Sequence, residues 1–356
     1  MKDQVSPSLP LAQMRQDARI LIPSMHKQKV TSKLYGIEGS RVLVTWQEFL
    51  PTNKSSGNKA IIFFPGWPLR ADSDSIRALC EEFARSSGVK TFALHTRNEQ
   101  VIPNSLYLEA KAVCKFLEES EFNEITLVGY SQGGIKAINT IISLHEINAN
   151  LHVDGLILIV SVGLNEIDSA ELARRYMTDF LIKSSLIIIR EVARQPSFRK
   201  KLVSLIRNIS LAIHSSLEFF ISILQEVRAS NRHYFERFQN DLKEMTQKSP
   251  YLNQIRVPVV LVQGAKDRVS DSRRILSQAT DTTALVLSSF DISENLPTCS
   301  QNTSQQILAM DIFPQSAHVI MVEANKFGTH VLPLFRSKSV ARASLYLLQR
   351  ASRGLL

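Results

Sequence analysis

The stretch Ile125-Thr126-Leu127-Val128-Gly129-Tyr130-Ser131-Gln132-Gly133-Gly134 constrains the fold more than any other part of the chain. An aliphatic, partly β-branched run leads straight into Gly-Tyr-Ser-Gln-Gly, and Ile135, Ala137, Ile138, Ile141 and Ile142 follow at helical spacing. The pattern predicts a strand, a sharp turn and a helix. In such a turn the serine sits in strained backbone with its hydroxyl clear of the sheet, and side chains at the flanking glycines would strike the neighbouring strand and helix. Ser131 is therefore a candidate nucleophile. A Gly-x-Ser-x-Gly pattern arises by chance in roughly one chain in ten of this length. The strand before it and the helix after it are what distinguish this one.

The rest of the chain reads as alternating strands and helices. Residues 1–30 carry Pro7 and Pro10 and no sustained period, so a loosely attached leader is expected there. Ser32 to Ile37 and Arg41 to Phe49 flank Glu38-Gly39-Ser40, which predicts a hairpin at an antiparallel sheet edge. Ala60 to Phe64 is a continuous apolar run of the kind buried on both faces, ending in Pro65-Gly66-Trp67-Pro68. A helix follows over 72–87, with Asp74 or Ser75 as expected N-cap and Gly88 as its stop. Val89 to His95 is the next strand, and Ser105 to Glu118 a helix whose inner face is Leu106, Leu108, Ala112, Val113, Phe116 and Leu117. Leu156 to Val162 and Ile255 to Gln263 are further strands, and about ninety residues without strand pattern separate them. Beyond Gly264 a polar insertion is expected over 283–309, then a strand Val319 to Ala324 and a helix Ser339 to Arg350. Strand–helix alternation is the mark of a mostly parallel sheet with helices on both faces. The expected organisation is a core of residues 31–164 and 251–356, with a helical cap of residues 165–250 inserted after the sixth strand.

With 356 residues and 44% hydrophobic content the chain can bury a large core. Cys80, Cys114 and Cys299 are odd in number and lack metal-ligand spacing, which argues against a disulfide framework and for a reducing compartment. The N-terminus shows no secretory apolar run and no stretch approaches a bilayer span, so a cytoplasmic protein is expected. The formal charge of +9 is scattered. No nucleic-acid motif accompanies it. The densest basic group, Arg199-Lys200-Lys201 with Arg194 and Arg207, reads as a solvated helix face, with weak contact to an anionic membrane surface as the alternative.

A serine hydroxyl is a poor nucleophile at neutral pH, so Ser131 needs a histidine base, and that base needs a carboxylate to hold its tautomer. Asp267 follows the strand Val259 to Gln263 at its carboxyl end, and His330 follows the last strand. The order Ser131, Asp267, His330 is one of three known chain orders for this triad. Asp267 could instead pair with Arg268 or cap the following helix. Asp154 and Asp271 are less well placed as the acid, and His318 and His95 read as structural or ordinary polar residues.

Taken together, Pro65-Gly66-Trp67-Pro68, the elbow Gly129 to Gly133, the strand leading through Gly264 to Asp267, and Gly328-Thr329-His330 resemble an α/β-hydrolase fold enzyme from about residue 32 to residue 350. The elbow is similar to those of cutinases and some carboxylesterases and lipases. Proline stands where that family usually has the histidine of its His-Gly turn, and neither the Asp-x-x-Gly-x-Gly segment after the fourth strand nor an HGGG loop is present. The resemblance implies an oxyanion hole made by the backbone N–H groups of Trp67 and Gln132. It also implies a serine hydrolase acting on carboxylic esters or thioesters through an acyl-enzyme, with no cofactor and no metal. Acyl transfer, amide or C–C hydrolysis on the same triad, and a non-catalytic ligand-binding protein, are the alternatives. Leu181, Ile182 and Leu186 to Ile189 nearly encircle one helix of the excursion, and Leu217 with Phe219 to Leu224 crowd another. An apolar acyl substrate is expected from these faces, with packing of the helices on one another as the rival explanation.

Overall fold

A computed structural model describes residues 30–52, 58–100, 105–147, 150–164, 166–178, 221–225, 228, 234–247, 249–264, 267, 269, 282–290, 307–309, 319–324 and 337–352. Ten strands in one sheet are present among them: β1 (Val30–Ile37), β2 (Ser40–Phe49), β3 (Lys59–Phe64), β4 (Lys90–Asn98), β5 (Glu124–Tyr130), β6 (His152–Ile159), β7 (Val259–Gly264), β8 (Thr282–Phe290), β9 (Ile307–Ala309) and β10 (Val319–Ala324). The spatial order is β1-β2-β4-β3-β5-β6-β7-β10-β8-β9. From β4 to β8 every neighbouring pair is parallel; β1, β2 and β9 add antiparallel pairs at the two margins. The β1–β2 turn is the two residues Glu38 and Gly39, both at positive φ, which matches the right-handed twist of the strands it joins.

Alternation along the strands sorts their side chains into two cores. Ile62, Leu127, Leu158 and Leu261 face one way, with the buried sides of helices α2 (Ser105–Glu118) and α3 (Gly133–Glu146). Ile61, Phe63, Val128, Ile157 and Val260 face the other, against α1 (Asp74–Ser87) and the closing helix α6 (Ser337–Ser352). Parallel strands covered on both faces must be apolar on both faces, which is why they read as unbroken hydrophobic runs. Between β6 and β7 the described elements are helical: α4 (Ser169–Met177), residues 221–225, α5 (Tyr234–Thr246) and a 3₁₀ turn Leu252–Gln254. Among the described residues no helix is long and apolar enough to cross a membrane.

Four details differ from the sequence expectation. The N-cap of α1 is Ser73, in extended backbone, rather than Asp74 or Ser75; its Oγ accepts from the Arg70 N–H instead of capping the helix. Strand β4 runs on to Asn98 because β2 pairs with it (Val42 opposite Asn98) past the point where β3 has ended. Strand β6 begins at His152 and stops at Ile159, where Val160 turns to φ 42°. Within the region expected to be a polar insertion, Thr282–Phe290 forms β8, parallel to β10.

Candidate active site

The carboxyl edge of the sheet is where the elbow forms. Strand β5 ends at Tyr130 and Ser131 takes φ 53°, a left-handed conformation that a non-glycine residue holds only when its surroundings impose it. The Ser131 N–H donates to the Ile159 carbonyl of β6 (3.0 Å), while the Ser131 carbonyl accepts from the Gly134 N–H (3.0 Å) and the Val162 N–H (3.3 Å). The turn is thus tied to the neighbouring strand on both sides.

The glycines around it are a steric necessity. A Cβ on Gly129 would lie 2.4 Å from Gly134 Cα, one on Gly133 would lie 2.0 Å from the Phe64 carbonyl oxygen, and one on Gly134 would lie 2.3 Å from Ser161 Oγ. On the other side, a Cβ on Gly66 would meet Ser131 Cβ at 2.6 Å. The turn after β3 therefore packs directly on the serine, and Trp67 and Gln132, the two residues expected to supply oxyanion N–H groups, line one cavity. Helix α3 starts at Gly133, so the positive end of its dipole lies beside Ser131.

That cavity, about 40 Å³, is walled by Pro65 to Leu69, by His95, Thr96 and Arg97 of β4, by Glu109 of α2, by Gln132 and Lys136, and by Arg237, Phe238 and Asp241 of α5. Phe238 stacks at a tilt on Trp67, with ring centroids 4.6 Å apart. Its charged groups are largely buried. Lys136 Nζ lies 2.7 Å from Glu109 Oε2 and donates to Thr96 Oγ1 at 2.9 Å; Glu109 also accepts from Thr96 Oγ1 (2.7 Å) and the Asn98 N–H (3.1 Å). Gln132 Nε2 donates to Asp241 Oδ2 at 3.3 Å, joining the elbow to α5. Burial, with the Glu109 charge next, pushes Asp241 up to about 7, against the pull of Lys136 and Arg237. One turn further along α5, burial and then the Asp241 charge raise Glu244 to about 8, although it accepts from the Leu106 N–H at 3.3 Å.

Of the predicted site residues, Asp267 is buried three residues past the end of β7, and its Oδ1 accepts from the Val269 N–H at 2.8 Å. One strand, β6, separates β7 from β5, and all three run parallel, so Asp267 and Ser131 follow the same edge of the sheet. The structure places Asp154 near the start of β6, at the opposite edge, where Lys59 and Glu124 are its charged neighbours. His330, His318 and Asp271 lie outside the described residues, as do Leu181 to Ile189, Leu217, Phe219 and Phe220. His95, read from the sequence as an ordinary polar residue, lines the cavity, and Glu109, Lys136, Arg237 and Asp241 were not foreseen there. One signal was present: Glu109 falls on the Leu106, Val113 and Phe116 stripe, where a charge implies a buried partner.

Solved structures align with this chain over nearly its whole length. A membrane phospholipase A, described as a bacterial virulence factor, matches with a TM-score of 0.50 and 17% identity, over 96% of this chain and 91% of that one. An esterase from Exiguobacterium antarcticum matches with a TM-score of 0.50 and 11% identity, over 90% of this chain and all of the other. The chain has the α/β-hydrolase fold. No protein-family model matches the sequence, and no curated protein matches it. Within this fold the elbow at Ser131 occupies the carboxyl edge of a central strand, the edge at which open α/β sheets place their ligands.

Proposed function

We propose that the chain is a serine hydrolase that cleaves carboxylic esters or thioesters through an acyl-enzyme. In this reading Ser131 attacks the acyl carbon while His330 takes its proton and returns it to the leaving group. Asp267 orients His330, and the backbone N–H groups of Trp67 and Gln132 hold the developing oxyanion. Water then releases the acyl group by the same proton path in reverse. The observation that carries the reading is the left-handed backbone at Ser131, with glycines on both sides that admit no Cβ and Gly66 packed on the serine itself. A serine held this way is oriented for attack at a cost in backbone strain. In this reading the segment over 165–250 acts as a cap. Ile221 and Leu224 leave apolar surface exposed on it, 43% and 57%, to which an apolar acyl arm can bind. The printed activities of the two aligned proteins, phospholipase and esterase, agree with ester chemistry.

A fluorophosphonate probe tests this directly, because it forms a covalent adduct only with an activated serine. Labelling of the wild type, its loss in Ser131→Ala, and mapping of the adduct to the peptide containing Ser131 are expected. Labelling that survives the substitution would overturn the assignment.

A further inference from the structure

The cavity beside the elbow is chemically unlike an acyl tunnel. Three cationic side chains, Arg97, Lys136 and Arg237, line it against two carboxyl groups, Glu109 and Asp241. Lys136 and Glu109 neutralise one another at 2.7 Å. Arg97, half-buried on the extension of β4, makes no side-chain hydrogen bond or ion pair among the described residues. Arg237 and Asp241 are each 8% exposed, and Asp241 Oδ1 has no hydrogen-bond partner among the described residues. A buried carboxyl oxygen without a partner is costly unless something enters to meet it.

We propose that this cavity is an anion subsite, in which a carboxylate carried by the substrate seats against Arg97 and Arg237 while the ester carbonyl reaches Ser131. The proposal rests on the hydrolase reading above and adds to it the class of substrate: an ester that bears a carboxylate on a short arm. Guanidinium groups match a carboxylate with two parallel N–H···O bonds, and the match strengthens where water is excluded. At about 40 Å³ the space takes about three water-sized groups, at roughly 10–15 Å³ each, which is the size of a carboxylate. The carboxyl of Asp241 opposes the guest less than an ordinary aspartate would: burial holds it up to about 7, so below that pH it keeps its proton and offers an O–H. The other groups facing it are His95 and Arg97 of β4, Glu109 of α2, Lys136 of α3 and Arg237 of α5.

The test uses matched ester pairs and a direct binding measurement on the full chain. Monomethyl adipate against methyl hexanoate places the carboxylate on the acyl side, and 4-(butanoyloxy)butanoate against butyl butanoate places it on the alcohol side. At least one anionic ester is expected to be preferred, and its preference over the neutral partner should fall about 10- to 100-fold in Arg97→Gln, the loss of a charge-assisted hydrogen bond. Arg97→Lys should restore part of it. Calorimetric titration with adipate reads the subsite without any turnover: binding to wild type that weakens in Arg97→Gln upholds it even if no ester is cleaved, which would count against the hydrolase reading alone. Tighter binding of inorganic phosphate than of adipate, a preference for both neutral esters, or a ratio and an affinity unchanged in Arg97→Gln would overturn it. Thermal melting of each variant shows that the fold is intact.

Discussion

Two walls of the same cavity are built on different physics. The elbow wall, β5 to α3, is fixed by close backbone approach: Gly129, Gly133 and Gly134 lie so near Phe64, Ser161 and one another that no side chain fits. The wall made by α5 is fixed by buried charge and one aromatic contact, through Asp241 on Gln132, Glu244 on the Leu106 N–H and Phe238 on Trp67. Steric walls do not respond to pH or salt. Electrostatic ones do, because the protonation of each group depends on the others. The difference sets a rigid turn at Ser131 opposite an adjustable partner.

The largest effect should come from the rigid side. Ser131→Ala removes the oxygen proposed to attack and leaves the turn in place, and turnover of any ester substrate should fall by a factor on the order of 10⁶. The melting temperature should hardly change. A variant that keeps wild-type turnover would break the comparison at its root, since the strain at Ser131 would then serve no chemistry.

Next comes Asp267→Asn, expected to lower kcat by a factor on the order of 10⁴, because an amide can hold the histidine in the wrong tautomer. Asp154→Asn is the control. Asp154 lies at the far edge of the sheet, where burial and Glu124 raise its carboxyl, so its replacement should leave turnover unchanged. Exchanged behaviour of the two variants in steady-state kinetics would move the acid to a different loop.

A third effect tests a buried charge pair on the elbow side of the cavity, between α3 and α2. Lys136 and Glu109 are 8% and 2% exposed and face each other at 2.7 Å. Lys136→Met strands the Glu109 charge and should cost about 3–5 kcal/mol in urea unfolding. Pairing it with Glu109→Leu should recover much of that loss. If the double variant were no better than the single, the pair would not be the electrostatic unit its geometry describes.

These predictions also show why one wall was readable in the sequence and the other was not. Strand, elbow and helix announce themselves through local rules: glycine where a Cβ cannot fit, apolar runs where both faces are covered. The position of Asp267, past the carboxyl end of β7, was legible for the same reason. The charged cavity joins Arg97, Glu109, Lys136, Arg237 and Asp241, up to 144 positions apart in the chain, and no local rule links them. Strand β8 escaped notice because Thr282-Thr283-Ala284-Leu285 reads as the start of the polar stretch that follows, and its pairing with β10 is a tertiary fact. The reach of β4 to Asn98 was equally hidden, since the pairing with β2 sets it.

The smallest effect belongs to α5 and concerns pH. Burial raises the Glu244 carboxyl to about 8 and the Asp241 carboxyl to about 7, far above their ordinary values of 4.5 and 3.8. Across that window the folded chain holds protons that the unfolded chain has released. Stability therefore falls as pH rises from about 4.5 to about 8 and levels off above it, the reverse of a carboxylate whose folded pKa is depressed. Glu244→Gln cannot ionise, and its amide oxygen can still accept from the Leu106 N–H. At pH 5 the variant and the wild type should melt alike. By pH 8.5 the variant should melt higher, by about 1 to 2 °C for each kcal/mol of relieved strain in a chain of 356 residues. Melting curves taken from pH 5 to pH 9 measure the two slopes. Parallel slopes would mean that Glu244 is solvated when charged, and the α5 wall would then be no more pH-sensitive than the elbow it faces.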